Sequence, residues 1–224
     1  VPGGVGRGKS WDAVAPEYPS LAKMLRVFAS RGIRNRATMG GNLATASPIG
    51  DSAPVLLTLD ATLVLASLKG ERTVAIDAFF LDYRTTALAP GEIIKEIVLP
   101  RLPTSGGIKR RVDFLKVSKR RELDISIVAG AFRLDIGNDG VVRLARLASG
   151  GVARTPGRAR AAEAALEGRR LEEAREQVAD LLRSEYRPID DARGSAAYRR
   201  GLIVSLWEKF AGGEQSLAPD GSLD

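Results

Sequence analysis

Three strand-like segments in close succession constrain this chain most. Residues 111–118, 125–136 and 141–148 are rich in Val, Ile, Leu and Phe, and Asn138-Asp139-Gly140 between the last two is a tight-turn sequence. Strands joined this closely pair antiparallel as a meander, because a parallel pair needs a crossover of about a dozen residues. From Arg158 the composition shifts to Ala, Leu, Glu and Arg. Ala174, Val178, Leu181 and Leu182 mark one helical face, and Ile203, Leu206, Trp207 and Phe210 mark another. Strands followed by helices predict an α+β fold.

The preceding half has its own pattern. Pro19-Ser20 reads as a helix start, with Leu21, Met24, Leu25 and Phe28 on one face and Gly32 as its end. Residues 33–51 have neither helical nor strand period and read as a long functional loop. Ala61–Ser67 is a strand, turned at Lys69-Gly70 to pair with residues 72–76, and Glu92–Leu99 is another, stopped by Pro100. Pro103–Gly107 (PTSGG) reads as a linker. The expected division is residues 1–107, with a core over about 18–103, and residues 108–224. In the second part the sheet covers about 110–148, the helices about 158–211, and 212–224 form a disordered tail.

Composition narrows the chemistry. Among 224 residues there is no Cys and no His. This chain therefore offers no thiolate for an iron–sulfur cluster and lacks the commonest general base. Redox or acid–base work here calls for a bound cofactor or a partner. The net charge of +7 raises nucleic-acid binding as a reading, but the cations are spread along the chain and lack a series of stacking aromatics. Gly3–Ser10 (GGVGRGKS) fits the phosphate-loop pattern. Only Val1 and Pro2 precede it, and Pro16 stops a following helix early, so the match reads as chance. No run of about 18 apolar residues and no apolar leader is visible, and the expectation is a soluble, cytoplasmic protein without a membrane span.

Thr38-Met39-Gly40-Gly41-Asn42 is the best phosphate-binding candidate. Adjacent glycines let backbone N–H groups approach an anion, Thr38 and Asn42 can bond phosphate oxygens, and Arg34 and Arg36 add positive potential. A structural turn is the plainer alternative. Ser47 and Asp51 lie on the same loop. A carboxylate there can accept sugar hydroxyls, or serve as a cap before Ala53–Leu59. Lys116 to Asp124 (KVSKRRELD) packs four cations and two carboxylates into nine residues, as a solvated strand end or as a site for an anionic cosubstrate.

At this point the sequence resembles a known family. IRNRATMGGNLATASPIGD, from Ile33 to Asp51, is similar to a flavin-contacting segment of the xanthine dehydrogenase family, shared with the medium flavoprotein subunits of carbon monoxide dehydrogenases. Phe79–Thr86, Leu88–Pro100, Lys116–Ile125, Gly150–Ala159 and Asp191–Arg199 resemble further family segments in the same order, over about residues 18–210. SKRRE at Ser118–Glu122 and the D-x-R-x-S pattern at Asp191–Ser195 resemble xanthine dehydrogenase more than the carbon monoxide enzymes.

The resemblance implies the second part of a family-type FAD-binding domain, followed by an antiparallel sheet with packed C-terminal helices. Thr38, Gly40, Gly41 and Asn42 would bind the FAD pyrophosphate, and Phe28 would help build the pocket. Ser47 and Asp51 would meet FAD hydroxyls or nearby backbone. Ile94 would pack at the flavin and Lys116 would lie beside it. Arg120 and Asp124 would belong to a loop that influences access of NAD. Phe28 and Ile94 have a plainer reading as core residues. The implied function is an FAD-carrying electron-transfer module, with 2Fe–2S clusters and a molybdopterin–molybdenum centre on partner segments of a hetero-oligomer and NAD as cosubstrate. An earlier Gly-rich segment of the flavin domain is expected outside this chain, and Leu123 stands where some relatives are acidic. The rival reading is an assembly or scaffold fragment that does not hold FAD by itself.

Overall fold

The computed structural model describes residues 15–102, 107–120 and 124–213. The Gly3–Ser10 string, residues 103–106 of the expected linker, Arg121 to Leu123, and the tail from Glu214 lie outside them.

The first helix, α1 (Pro19–Val27), begins with proline, whose missing N–H has no helical partner at that position anyway. It buries Leu21, Met24 and Leu25 on one face. It ends at Phe28 and not at Gly32: Phe28 turns extended, and Ala29 follows at φ 48°. Gly32 sits instead inside a short helical turn, α2 (Arg31–Arg34). The stretch expected as a loop also contains α3 (Met39–Ala44), so Gly40-Gly41 is the first turn of a helix and not a free turn. Next comes α4 (Ser52–Thr58), every residue of which is buried.

Then β1 (Thr62–Ser67) turns into β2 (Gly70–Ala75) as the sequence predicts. A small hairpin, β3 (Phe80–Asp82) with β4 (Thr85–Thr86), precedes β5 (Ile93–Val98). The sheet runs β2-β1-β5, all antiparallel, and α3 packs on its β5 side.

The second sheet is the expected meander. β6 (Lys109–Val117), β7 (Val128–Ile136), β8 (Val142–Gly150) and the short β9 (Gly157–Arg158) pair in sequence order. β7 starts three residues later than the pattern implies. Ser126 is committed to a side-chain bond with Asp51, and Ile125 is left exposed. Three helices follow: α5 (Arg160–Leu166), α6 (Leu171–Glu185) and α7 (Ala196–Gly212). Gly212 is still helical, and Gly213 at φ 86° closes α7 as a left-handed cap.

β7 is buried on both faces and its side chains alternate accordingly. Val128, Phe132 and Leu134 belong to the core made with α6 and α7, where Phe132 stacks on Phe210 at 5.1 Å between ring centres. Ala129 and Ala131 face Leu21 and Met24 of α1, Val55 of α4 and Leu59 just beyond it. Small residues on that face let two helices of the first half lie close on a sheet of the second, so the halves share a core.

Farther along the same face the apolar contact gives way to charge. Asp135 is held by Arg110 at 2.6 Å and Arg133 at 2.7 Å, while Asp60 from the first half takes Arg146 at 2.9 Å and Arg158 at 3.1 Å. Desolvation works against the Asp135 charge, but the bonds from Arg110 and Arg133 outweigh it and hold its carboxyl below the ordinary value. Such a group stabilises the fold above its unfolded pKa of about 4, and that contribution is lost as pH falls through the lower folded value. Asp135→Asn should therefore cost about 3 kcal/mol at neutral pH, with the deficit narrowing below about pH 4. Urea melts of both proteins at neutral and acid pH measure this, and an equal deficit at both would contradict it.

Candidate cofactor site

Helix α3 has poor intrinsic helix formers at its start, and two local features fix it. Thr38 is extended at φ −116° and its Oγ1 accepts the Gly41 N–H at 2.9 Å. Met39 and Ile94 then pack into the neighbouring core. A Cβ at Gly40 would touch Ile94 Cβ and the Ile94 carbonyl at 3.4 Å, so the glycine sets the closeness of α3 to β5.

Gly41 is different. A Cβ there would meet only the Thr38 hydroxyl, at 2.9 Å, and the residue is exposed. That contact is too short for a Cβ, so glycine here keeps the Thr38 cap in place and also leaves the first turn without a side chain. The N–H groups of Met39 and Gly40 have no acceptor among the described residues, as expected for the first turn of a helix, and they are donors for an anion.

Asn42 leads from this turn into the interior. Its Oδ1 accepts from Ser52 Oγ at 2.5 Å, at the start of α4, leaving its amide NH₂ free of protein acceptors among the described residues. The next residue back, Asp51, is buried. It stands at the N-cap position of α4 but makes no capping bond. Its Oδ2 instead accepts from Lys116 Nζ of β6 at 2.7 Å, and its Oδ1 accepts from Ser126 Oγ. Asp51 and Ser52 thus tie the glycine-entered helix on one side to β6 and the start of β7 on the other. The cap role considered for Asp51 is not the one the structure shows.

The remaining nominated residues fall into two sets. Phe28 is half-buried against the core around Leu21 and Met24, its carbonyl takes Arg34 Nη1 at 2.6 Å, and its neighbour Val27 offers a carbonyl to Lys116 Nζ at 3.5 Å. Ser47 accepts Ile49 N–H at 3.4 Å and, through its carbonyl, Gly50 N–H at 3.1 Å, closing the turn beside Asn42. Arg120 and Asp124 are not joined to this group. They close a loop on themselves: Asp124 Oδ2 accepts Arg120 N–H at 2.8 Å, and its Oδ1 accepts Ile125 N–H at 2.9 Å. Desolvation opposes the Asp124 charge, yet these backbone donors and the Arg120 guanidinium keep its carboxyl below the usual value. Lys119 reaches across to the Ala192 carbonyl at 3.2 Å.

Sequence reasoning did not single out Ser52, Ser126, or the close contact at Gly150-Gly151. Gly151 N–H donates to the Pro48 carbonyl at 2.7 Å, so the Ser47–Gly50 turn lies directly on the end of β8. A Cβ on Gly150 would come within 3.1 Å of the Pro48 carbonyl, and Gly151 has φ 83°. The double glycine was the available signal, since paired glycines mark places where backbones meet. Among the described residues no three His, Cys, Asp or Glu side chains gather to hold a metal ion, and no helix is long and apolar enough to cross a membrane.

Fold and site together define a two-part α+β module with a short, Thr38-capped helix near the junction of its parts. A family model described as the FAD binding domain in molybdopterin dehydrogenase matches residues 9–102, and one described as the CO dehydrogenase flavoprotein C-terminal domain matches residues 113–212. Nicotinate hydroxylase of Emericella nidulans is 41% identical over 198 residues, 85% of this chain and 14% of that protein. Xanthine dehydrogenase of Blastobotrys adeninivorans is 37% identical over 204 residues, 88% of this chain and 14% of that protein. A carbon monoxide dehydrogenase structure from Hydrogenophaga pseudoflava superposes with a TM-score of 0.81 at 31% identity, covering 88% of this chain and 67% of that one. The chain belongs to the molybdopterin dehydrogenase family and carries its FAD-binding and flavoprotein C-terminal domains. It spans about one seventh of the length of the two curated relatives just described.

Gly151 provides a direct check of the close backbone approach between the end of β8 and the segment entering β7. A Cβ there would lie 2.2 Å from the Ile127 carbonyl oxygen, on a left-handed backbone. Gly151→Ala should cost at least about 2 kcal/mol, read as a lowered urea midpoint. Gly157→Ala is the control, because a Cβ there meets nothing within 4 Å and φ is not positive. Equal midpoints for the two variants would show that the backbones do not meet as described.

Proposed function

We propose that this chain is the FAD-carrying electron-transfer module of a xanthine dehydrogenase-like molybdenum hydroxylase. The observation that carries the reading is the bare first turn of α3. Glycine at position 41 admits the Thr38 cap and leaves the turn without a side chain, and the Met39 and Gly40 N–H groups beside it have no acceptor among the described residues.

The residues present fit the cofactor. Thr38, Gly40, Gly41 and Asn42 would hold the pyrophosphate through backbone N–H groups, the free Asn42 amide and the start of the helix. Thr38 spends its acceptor on Gly41 and keeps its hydroxyl proton for an anion. Ile94, which lies against Gly40, and Phe28, half-buried on the core that Met39 also joins, would wall the pocket against water. Asp51 has both oxygens engaged inside the protein, so its part would be to hold Lys116; Lys116 would present positive charge to the cofactor, and Ser47 would shape the turn next to Asn42. When bound, FAD would supply the redox chemistry that links one-electron iron–sulfur clusters to a hydride acceptor such as NAD, with two electrons and one proton taken up for each hydride transferred.

With no Cys, this chain cannot ligate those clusters through thiolates, so 2Fe–2S clusters and the molybdopterin–molybdenum centre would sit on partner segments or subunits of a hetero-oligomer. The carbon monoxide dehydrogenase neighbour, whose description speaks of a molybdenum cofactor, supports a molybdenum centre in the whole enzyme. Xanthine or a related purine as substrate, NAD as acceptor through the Arg120–Asp124 loop, and a cytoplasmic setting complete the proposal. The nicotinate hydroxylase relative favours a second substrate reading, a pyridine carboxylate, within the same class of nitrogen heteroaromatic rings.

The test is the visible spectrum of the complex as isolated. We expect a flavin spectrum that is lost in Gly41→Val, whose branched side chain would crowd the Thr38 cap and cover the exposed turn, while the far-ultraviolet circular dichroism is retained. Anaerobic reduction followed by addition of NAD should restore the oxidised flavin spectrum. Reoxidation by oxygen alone would overturn the NAD assignment. A folded complex without flavin would overturn the redox reading and leave the scaffold one.

A further inference from the structure

We propose that Ser126 is a positioning residue for Lys116 in the cofactor site, an inference that rests on the FAD reading above. Ser126 lies on the segment entering β7 and is 1% exposed. Its hydroxyl donates to Asp51 Oδ1, while Lys116 Nζ bonds Asp51 Oδ2 at 2.7 Å. Nothing else described fixes that carboxylate, since α4 gives it no capping bond.

The need for such an anchor follows from the chemistry of the pair. Lysine carries its charge on a flexible four-carbon stem, and the terminal torsion of an aspartate is broad. Two soft side chains that bond only each other can swing together. Apart from Asp51, the Val27 carbonyl at 3.5 Å is the one acceptor near Lys116 Nζ among the described residues, too long to define its place. Ser126 supplies the fixed point. Its neighbour Ile127 donates its N–H to the Val117 carbonyl at 2.8 Å, extending the β6–β7 ladder up to Ser126, and Lys116 precedes Val117 on the same strand. Serine and lysine therefore project from one rigid ladder and grip opposite oxygens of one carboxylate, which turns its plane and sets the ammonium.

The third Lys116 N–H has no acceptor among the described residues, so the ammonium keeps a donor for a ligand oxygen. Removing the Ser126 hydroxyl leaves Asp51 and Lys116 paired but free to rotate. The consequence would be a looser placement of charge at the cofactor without loss of the charge itself.

Two measurements on the same Ser126→Ala protein test this. The first uses no cofactor. Flavin-free wild type and variant are treated with an amine-acylating reagent, and modification of Lys116 is followed by mass spectrometry with exposed Lys95 as internal reference. Lys116 should react several-fold faster in the variant and Lys95 at the same rate. The second is FAD titration of the flavin-depleted complex, in which Kd should rise about tenfold, while the melting temperature falls by several degrees with the fold retained, because one oxygen of the buried carboxylate loses its donor. An unchanged Lys116 rate overturns the proposal whether or not flavin binds. A faster rate with unchanged Kd overturns the link from Ser126 to the cofactor. If wild type itself takes up no FAD, the functional reading falls instead, and the labelling result still decides whether Ser126 holds Lys116.

Discussion

One buried carboxylate organises the centre of this molecule. Asp51 begins a helix of the first half, yet its oxygens serve two residues of the second, Lys116 and Ser126. A buried aspartate alone would be strongly destabilising; paired with an ammonium and a hydroxyl it becomes a fixed cross-link whose cost of desolvation is offset by direction. Ser52, its neighbour, holds Asn42, so α3 is placed by the same short stretch.

Around that link the apolar packing reinforces the same junction. The strand β7 alternates large residues toward the C-terminal helices with Ala129 and Ala131 toward α1 and α4. Neither half buries its own apolar face completely. The arginine–carboxylate pairs at Asp60 and Asp135 continue the seam where the small residues end, and they join residues far apart in the chain. The junction is thus apolar at its middle, ionic at one end, and bonded through Asp51 at the other.

The elements with a strong period were legible before any coordinates. The β1–β2 hairpin, β5, the meander and the two long C-terminal helices follow from alternation, turn residues and helical spacing. Helix α3 was not legible, because Met39-Gly40-Gly41-Asn42 has too few residues to show a period and glycine argues against helix. Its helicity depends on the Thr38 cap and on contact with Ile94, a residue more than fifty positions away. Gly32 was read as a helix end by the usual preference, but the break comes earlier, at Ala29. Asn42 and Lys116 could be nominated singly. Their connection through Ser52 and Asp51 could not, since partners separated by 65 and 75 positions leave no trace in local pattern.

The meeting of the Ser47–Gly50 turn with Gly150-Gly151 has a consequence for how such chains can be recombined. There the two halves touch backbone to backbone, with a carbonyl of one bonded to an N–H of the other and no side chain between them. Side chains can be repacked by compensating substitution, but a main-chain contact can only be matched in shape. A chimera that joins the front of this chain to the back of a distant relative would therefore succeed or fail on whether the two backbones still follow the same path at that one point. How closely the side chains of the two parents agree elsewhere would matter less.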